Sequence, residues 1–227
     1  MVKRFFDIAA SFLGLVILSP VFIILSLLIV FESKGGVFFR GVRVGKNGKA
    51  FRIFKFRSMY ADSEGNGKWN VGNNDSRITR IGHFLRNTKL DELPQLINVF
   101  IGNMSFVGPR PELQYYVDMY TENEAEILNI KPGITDWASL ANISQYTIFT
   151  SAADPDEIYL NEIRPIKLRL QMYYYENKSL MEDFKILFLT VFKVATRSKY
   201  IPERVNTAAL GWSLPEEEVE VLERVST

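Results

Sequence analysis

From Ile8 to Phe31 the chain is almost continuously apolar, interrupted only by Ser, Gly and Pro. About 24 residues at ~1.5 Å rise make ~36 Å of helix, longer than the ~30 Å hydrocarbon core of a bilayer. A cleaved signal peptide is disfavoured, because the run is too long and no small-x-small cleavage site follows it. Two features speak against a simple span. Ser19-Pro20 sits at the middle, where proline removes a backbone hydrogen bond and kinks a helix. Basic residues lie on both flanks: Lys3 and Arg4 before, then Lys34, Arg40, Arg43, Lys46 and Lys49 after. A span biases Lys and Arg to one flank. The pattern therefore fits either a kinked transmembrane helix or a helix that enters one leaflet, breaks at Ser19-Pro20 and returns.

After Gly35-Gly36 the period shortens. Residues 37–59 alternate apolar and basic positions around Lys46-Asn47-Gly48-Lys49, which predicts a hairpin turned at Asn-Gly. The alternation puts Phe54 and Phe56 on one face and projects Lys55 and Arg57 together from the other. Residues 62–75 are rich in Gly, Asn and charge and read as a loop. A basic turn-and-helix segment over 78–90 delivers Arg86 and Lys89. The run LDELPQLINVF (90–100) reads as a helix with Pro94 in its first turn and Asp91 near the N-cap. Residues 111–128 read as a surface helix opening with Pro111 and Glu112. Residues 157–199 predict one or two helices, with Leu180, Phe184, Leu187, Phe188 and Val191 on one face and Phe192 widening it. That stripe reads as core packing; Lys185 and Lys193 leave contact with the membrane interface as the other reading. The tail from Ile201 ends in an acidic short helix around 216–225. There are no internal repeats.

Length and composition narrow the chemistry. With 227 residues the chain fits one domain plus a membrane element. It has no cysteine, which excludes disulfides and thiolate metal sites, and one histidine, His83, which excludes clustered-His zinc chemistry. Acid–base work falls to carboxylates, Lys or Tyr. The formal net charge of +1 hides a strong asymmetry. Lys34 to Lys89 carries 13 Lys or Arg against Asp62, Glu64 and Asp75, whereas Pro111 to Glu162 carries ten acids against Lys131. A basic block beside a membrane segment points to anionic headgroups or an anionic substrate. Nucleic acid is disfavoured, since no reading helix or RNA-binding aromatic motif is present.

Within that basic block lie two adjacent carboxylates, Asp91 and Glu92. Taken alone they make an acidic first helix turn, favoured by the helix dipole. A helix start also favours a bound phosphate, and the cations around it supply neutralising charge. The basic residues that could face such an anion are Lys55, Arg57, Arg86 and Arg110. Gly108-Pro109-Arg110-Pro111 is a stiff turn suited to fixing one guanidinium, whose fork matches phosphate oxygens; a structural ion pair is the alternative for Arg110. Lys55 and Arg57 have a lipid-facing alternative.

The apolar Ser-Pro helix, FRIFKFRSM, LDELPQLINVF, SFVGPRPE and KPGITDWASL occur here in that order. In this combination, over roughly residues 1–197, the chain resembles the bacterial monotopic phosphoglycosyl transferases in their minimal catalytic form. The resemblance implies an α+β, mostly helical fold: a re-entrant membrane helix over 1–33, a compact cytosolic catalytic domain over 34–200 with a small hairpin and interfacial helices, and an extension over 201–227. It implies transfer of a sugar-1-phosphate from a UDP-sugar to undecaprenyl phosphate as the first membrane step of glycoconjugate assembly, with UMP released. Asp91 would be the nucleophile that carries the phosphosugar, Glu92 an acid–base helper or metal organiser, and Mg²⁺ the cofactor, held by Asp91 and Glu92. Lys55, Arg57, Arg86 and Arg110 would bind phosphate, and membrane lipid would surround the helix broken at Ser19 and Pro20. The implied place is the cytoplasmic face of the bacterial inner membrane, with both ends of the membrane helix cytoplasmic and homodimerisation open. The chain departs from the family at Asp136, where Gly is typical, and at Ala141-Asn142-Ile143-Ser144, which lacks an Arg. That segment is expected to contact substrate. The rival reading is a non-catalytic membrane-anchored protein that binds anionic lipid or nucleotide.

Overall fold

The computed structural model describes residues 2–61, 75–141, 157 and 159–196. The expected 62–75 loop (all but Asp75), most of the Ala141–Ser144 segment, the 201–227 extension and its acidic helix lie outside these residues. The apolar run forms two helices, α1 (Val2–Ile17) and α2 (Ser19–Glu32), bent by 60° at their junction. Among the described residues no single helix is long and apolar enough to cross a membrane, but this bent pair is. The bend is built from the sequence at one point. Pro20 lacks the N–H that would serve the Val16 carbonyl, and Ser19 Oγ donates to that oxygen instead, at 2.8 Å. Ser19→Ala leaves the carbonyl without this donor, and we expect a loss of about 1 kcal/mol, read by denaturant titration in detergent micelles. Phe5, Phe12, Leu13, Ile17, Ile24 and Phe31 stay exposed on the outer surface of the pair.

The inner surface is tied to the rest of the chain. α1 packs on α4 (Gln95–Ile101), with Arg4 donating to the carbonyls of Val99 and Phe100 at 2.6 and 2.8 Å. Asp7 is buried and accepts from Ser105 Oγ and the Phe106 amide. α2 packs on α3 (Arg80–Thr88) through Leu25, Ile29, Phe56 and Leu85. The α3 N-terminus has its free amides satisfied: Glu32 at the end of α2 accepts from Arg80 and Ile81, and Thr79 accepts from Gly82.

Four short strands follow the bent helix pair: β1 (Phe38–Phe39), β2 (Val42–Val44), β3 (Ala50–Arg52) and β4 (Lys55–Phe56). β2 and β3 form the expected antiparallel hairpin around Asn47-Gly48, where Asn47 takes a left-handed φ of 57°. The ladder does not run on unbroken; β1 and β4 form a second, separate pair. The gap is bridged by Asn98, which accepts from the Phe54 amide and donates to the Arg52 carbonyl, both at 2.8 Å. Further along, β5 (Ser105–Val107) pairs in parallel with β6 (Gly133–Thr135). Gly108 and Gly133 cross so closely that a Cβ on Gly133 would lie 2.1 Å from the Gly108 nitrogen.

The expected helix over 111–128 is instead two single turns, α5 (Gln114–Val117) and α6 (Glu122–Ala125), with a 3₁₀ turn at Glu126–Asn129. Thr121 and Glu124 form a capping box that restarts the helix. Glu112 does not open a surface helix: it is buried, paired with Lys167 and accepting from Tyr159 Oη at 2.8 Å. α7 (Trp137–Leu140), a π-helical turn (Tyr159–Ile163), α8 (Arg164–Asn177) and α9 (Leu180–Thr196) are the remaining elements among the described residues. Trp137, Leu140, Ile163, Ile166, Leu170, Tyr174 and Ile186 form the main core. The α9 stripe corrects the core expectation except at Leu187, which packs against that core. Ile186 and Asp183 face inward, whereas Phe184, Phe188 and Val191 are 54%, 71% and 67% exposed. Lys185 lies over the Trp137 ring and Lys193 donates to the Leu140 carbonyl, so the cations flanking the stripe turn towards protein. Phe184 meets Phe6 of α1 edge-on at 5.6 Å, which joins the outer faces of α9 and α1 into one apolar surface.

Candidate active site

Asp91 and Glu92 sit in the turn that joins α3 to α4. α3 ends as Lys89 takes a left-handed φ of 59°, and Leu90–Glu92 then form a single 3₁₀ turn. Leu90 and Leu93 pack into the cluster between α2 and α3, which holds the turn from its apolar side. α4 begins one turn later than expected, at Gln95 with Pro94 as its N-cap. Asp91 is therefore not an N-cap.

The two carboxylates live in different surroundings. Glu92 accepts from Lys55 Nζ at 2.9 Å, and its two oxygens are held by the Arg110 guanidinium fork. Burial alone would push its carboxyl up; the charges and hydrogen bonds of Arg110 and Lys55 outweigh that and hold it well below the usual carboxylate range. Asp91 is 4% exposed. Its Oδ1 is buried without a hydrogen-bond partner among the described residues. Burial pushes its carboxyl up, opposed by the charge of Lys55, reinforced by Glu92, and opposed again by Lys89 and Arg86. One carboxylate is thus clamped, and its neighbour is left with an oxygen to use.

Of the residues singled out in the sequence, Asp91, Glu92, Lys55, Arg86 and Arg110 are brought together. Arg86 donates from Nε to Ser58 Oγ at 2.9 Å, and its charge reaches Asp91. Arg57 parts from Lys55, contrary to the expected shared projection. Its guanidinium is buried and donates to the carbonyls of Ser33 and Lys34 at 2.7 and 2.6 Å, capping the end of α2. The unserved carbonyls of a helix C-terminus attract a cation, and they win Arg57.

Other groups were not singled out beforehand. Gln95, one turn beyond Asp91, is fully buried with both side-chain polar atoms unpartnered among the described residues. The signal for it was two polar residues, Gln95 and Asn98, inside an otherwise apolar run. Asp136, expected to lie in a substrate-contacting segment, is fully buried. Its oxygens accept from the amides of Ser139 and Arg110 and from Gln171 Nε2 at 2.7, 3.1 and 3.0 Å. It therefore supports Arg110 from beneath.

As for a metal, no three His, Cys, Asp or Glu side chains gather among the described residues. Mg²⁺ does not need such a cage, since it is usually held by one or two carboxylates, water and substrate phosphates. The unpartnered Asp91 Oδ1 suits that mode. Glu92 suits it less, because Arg110 and Lys55 already hold its oxygens.

The model of the bacterial sugar transferase family matches residues 1–197. The chain belongs to the bacterial sugar transferases. It is 37% identical over 198 residues to the UDP-N-acetylgalactosamine-undecaprenyl-phosphate N-acetylgalactosaminephosphotransferase of Aeromonas hydrophila, covering 86% of this chain and 44% of that protein. It is 38% identical over 196 residues to the UDP-glucose:undecaprenyl-phosphate glucose-1-phosphate transferase of Escherichia coli K12, covering 85% and 40%. This bacterial sugar transferase thus spans less than half the length of those two relatives. The exopolysaccharide production protein PSS of Rhizobium leguminosarum bv. phaseoli is matched along 98% of its length and 88% of this chain, at 37% identity.

Proposed function

We propose that this bacterial sugar transferase moves a sugar-1-phosphate from a UDP-sugar to undecaprenyl phosphate through a phosphosugar carried on Asp91. The observation that supports this most is the buried Asp91 carboxylate with an unpartnered oxygen, set beside a Glu92 neutralised by Lys55 and Arg110. A phosphate binder without chemistry gains nothing from two carboxylates among its cations. In the first step an Asp91 oxygen attacks the sugar-bearing phosphorus, and the bond from that phosphorus to the bridging oxygen breaks. UMP departs with the bonding electron pair. In the second, an oxygen of the acceptor phosphate attacks the same phosphorus, and the aspartyl oxygen leaves. Glu92 keeps Arg110 and Lys55 in place so that their positive charge faces the phosphate charge as it develops. Mg²⁺, held by Asp91 with Glu92 adjacent, would supply further neutralisation of the diphosphate. Incubation with a panel of UDP-sugars and undecaprenyl phosphate tests the reading: UMP release that depends on one sugar supports it. Tight nucleotide binding with no UMP from any sugar would favour the non-catalytic anchored binder.

The membrane part of the proposal is that α1 and α2 form a re-entrant hairpin on the cytoplasmic face of the inner membrane, with α9 lying in the interface. It is supported by the 60° bend at an apolar pair, the basic flanks, and the joined outer faces of α1 and α9. With no native cysteine, single cysteines at Val2 and Asn47 report topology cleanly. We expect both to resist an impermeant thiol reagent in intact cells and both to react once the membrane is opened; labelling of one alone marks a true span.

A further inference from the structure

Away from Asp91, a cleft of about 410 Å³ opens beside the first turn of α1 and carries Lys3, Arg4, Lys46, Lys131 and Lys178 in its lining. Two carboxylates line it as well, and both are already engaged. Asp7 accepts from Ser105 and the Phe106 amide; Asp183 accepts from Lys3 at 2.8 Å and from Tyr174. Lys3 is thereby neutralised, and none of the other four cations forms a salt bridge among the described residues. Arg4 rests on the carbonyls of Val99 and Phe100, and Lys178 on that of Tyr175. Neither Lys46 nor Lys131 has an acid partner among the described residues. Arg4 and Lys131 approach one point: a Cβ on Gly102 would lie 3.0 Å from Arg4 Nη2 and 3.5 Å from Lys131 Nζ. Burial first, and then the charge of Arg4, hold the Lys131 ammonium below its ordinary value; Asp7 opposes them, and Lys46 adds a smaller push in the same direction as Arg4. Cations in the first turn of α1 also oppose that helix's dipole. Gathering like charges in a partly enclosed cleft is costly unless an anion completes it. The volume lies in the range of small-ligand sites.

We propose that this cleft binds a phosphate group, with Arg4, Lys46, Lys131 and Lys178 as its cations. The ligand class is a phosphate mono- or diester with net negative charge. The cleft adjoins the start of α1 and Leu180 at the start of α9, at the edge of the joined apolar face, so an anionic phospholipid headgroup and a free phosphate are the two sources to separate. The site is distinct from Asp91, and its test reads amines rather than turnover.

Lysine acetylation of the full chain in detergent micelles, followed by peptide mass spectrometry, gives a local readout. Inorganic phosphate, dihexanoyl phosphatidylglycerol and dihexanoyl phosphatidylcholine are the probes, and exposed Lys49 is the internal reference. We expect phosphate or phosphatidylglycerol to slow acetylation of Lys46 and Lys131 at least fivefold relative to Lys49, with phosphatidylcholine much weaker. Protection by phosphatidylglycerol alone assigns a lipid headgroup; protection by inorganic phosphate as well assigns the phosphate group from either source. In Lys131→Gln, protection of Lys46 should need at least tenfold more ligand, and without ligand the variant should melt no lower than the wild type, since it removes like charge. Absence of protection, equal protection by phosphatidylcholine, or Lys46 protection unchanged in Lys131→Gln would overturn the site.

Discussion

Asp91→Asn should stop turnover entirely, yet melt no lower than the wild type at neutral pH. The amide keeps the shape of the side chain but cannot attack phosphorus, so denatured-protein mass spectrometry with UDP-sugar alone should show a phosphosugar adduct on wild type and none on the variant. The stability half follows from the raised Asp91 carboxyl, which burial imposes first. A folded-state value above the unfolded one means that folding favours the neutral form. Relative to Asn, the aspartate costs nothing below the ordinary carboxylate range and becomes increasingly unfavourable as pH rises through the raised value. The melting advantage of Asn should therefore appear at pH 7 and fade in acid. First-step activity of the wild type should rise across the same interval, since the proposed attacking group is the carboxylate. Normal turnover by Asp91→Asn would remove Asp91 from the chemistry.

Arg110→Ala is the second large expected effect. It takes one cation from a carboxylate that two were holding and leaves Glu92, 14% exposed as a side chain, on Lys55 alone. Breaking a buried pair costs about 3–5 kcal/mol; with Lys55 still in place we expect about 3 kcal/mol, at the low end, read from urea midpoints. Turnover should fall on the order of 10²–10³-fold, the scale of losing one fixed donor to developing charge. The sign with pH is opposite to that of Asp91. Glu92 is depressed, so its contribution is full above the ordinary glutamate range and is lost as pH falls through the lowered value. In Arg110→Ala the acid loss should start at higher pH. Arg110→Lys should recover little, because a point charge cannot span both Glu92 oxygens. A variant with unchanged midpoint and turnover would make the clamp irrelevant.

What the sequence made legible follows from which interactions are local. Ser19-Pro20, Asn47-Gly48 and the Asp91-Glu92 pair declare themselves within a few residues, and each bend, turn and carboxylate pair is found where those residues stand. The start of α4 was read a turn early because Pro94 suits either the first turn of a helix or its cap. The fates of Arg57 and Glu112 were not legible, because their partners are distant in sequence: the end of α2 and Lys167 on α8. Asp136 looked like a position facing substrate only because the support it gives Arg110 depends on the parallel meeting of β5 and β6. The α9 stripe teaches a different lesson. Periodicity reports that a helix face is apolar; it carries no information on whether protein or something else lies against it.

α3 has a further consequence. Its first amides are gripped by Glu32 at the end of α2, and its last residue leads through Lys89 straight into the Asp91 turn. The helix is a ruler nine residues long, about 13 Å at ~1.5 Å per residue, with the anchor at its zero mark and the carboxylate at its far end. Its exposed positions, such as Phe84, can change freely in identity. Its count cannot, because one inserted residue would move Asp91 by ~1.5 Å and swing it ~100° around the axis, out of register with Lys55 and Arg110. Where its side chains face outward, length rather than identity is the quantity that this stretch of chain must keep.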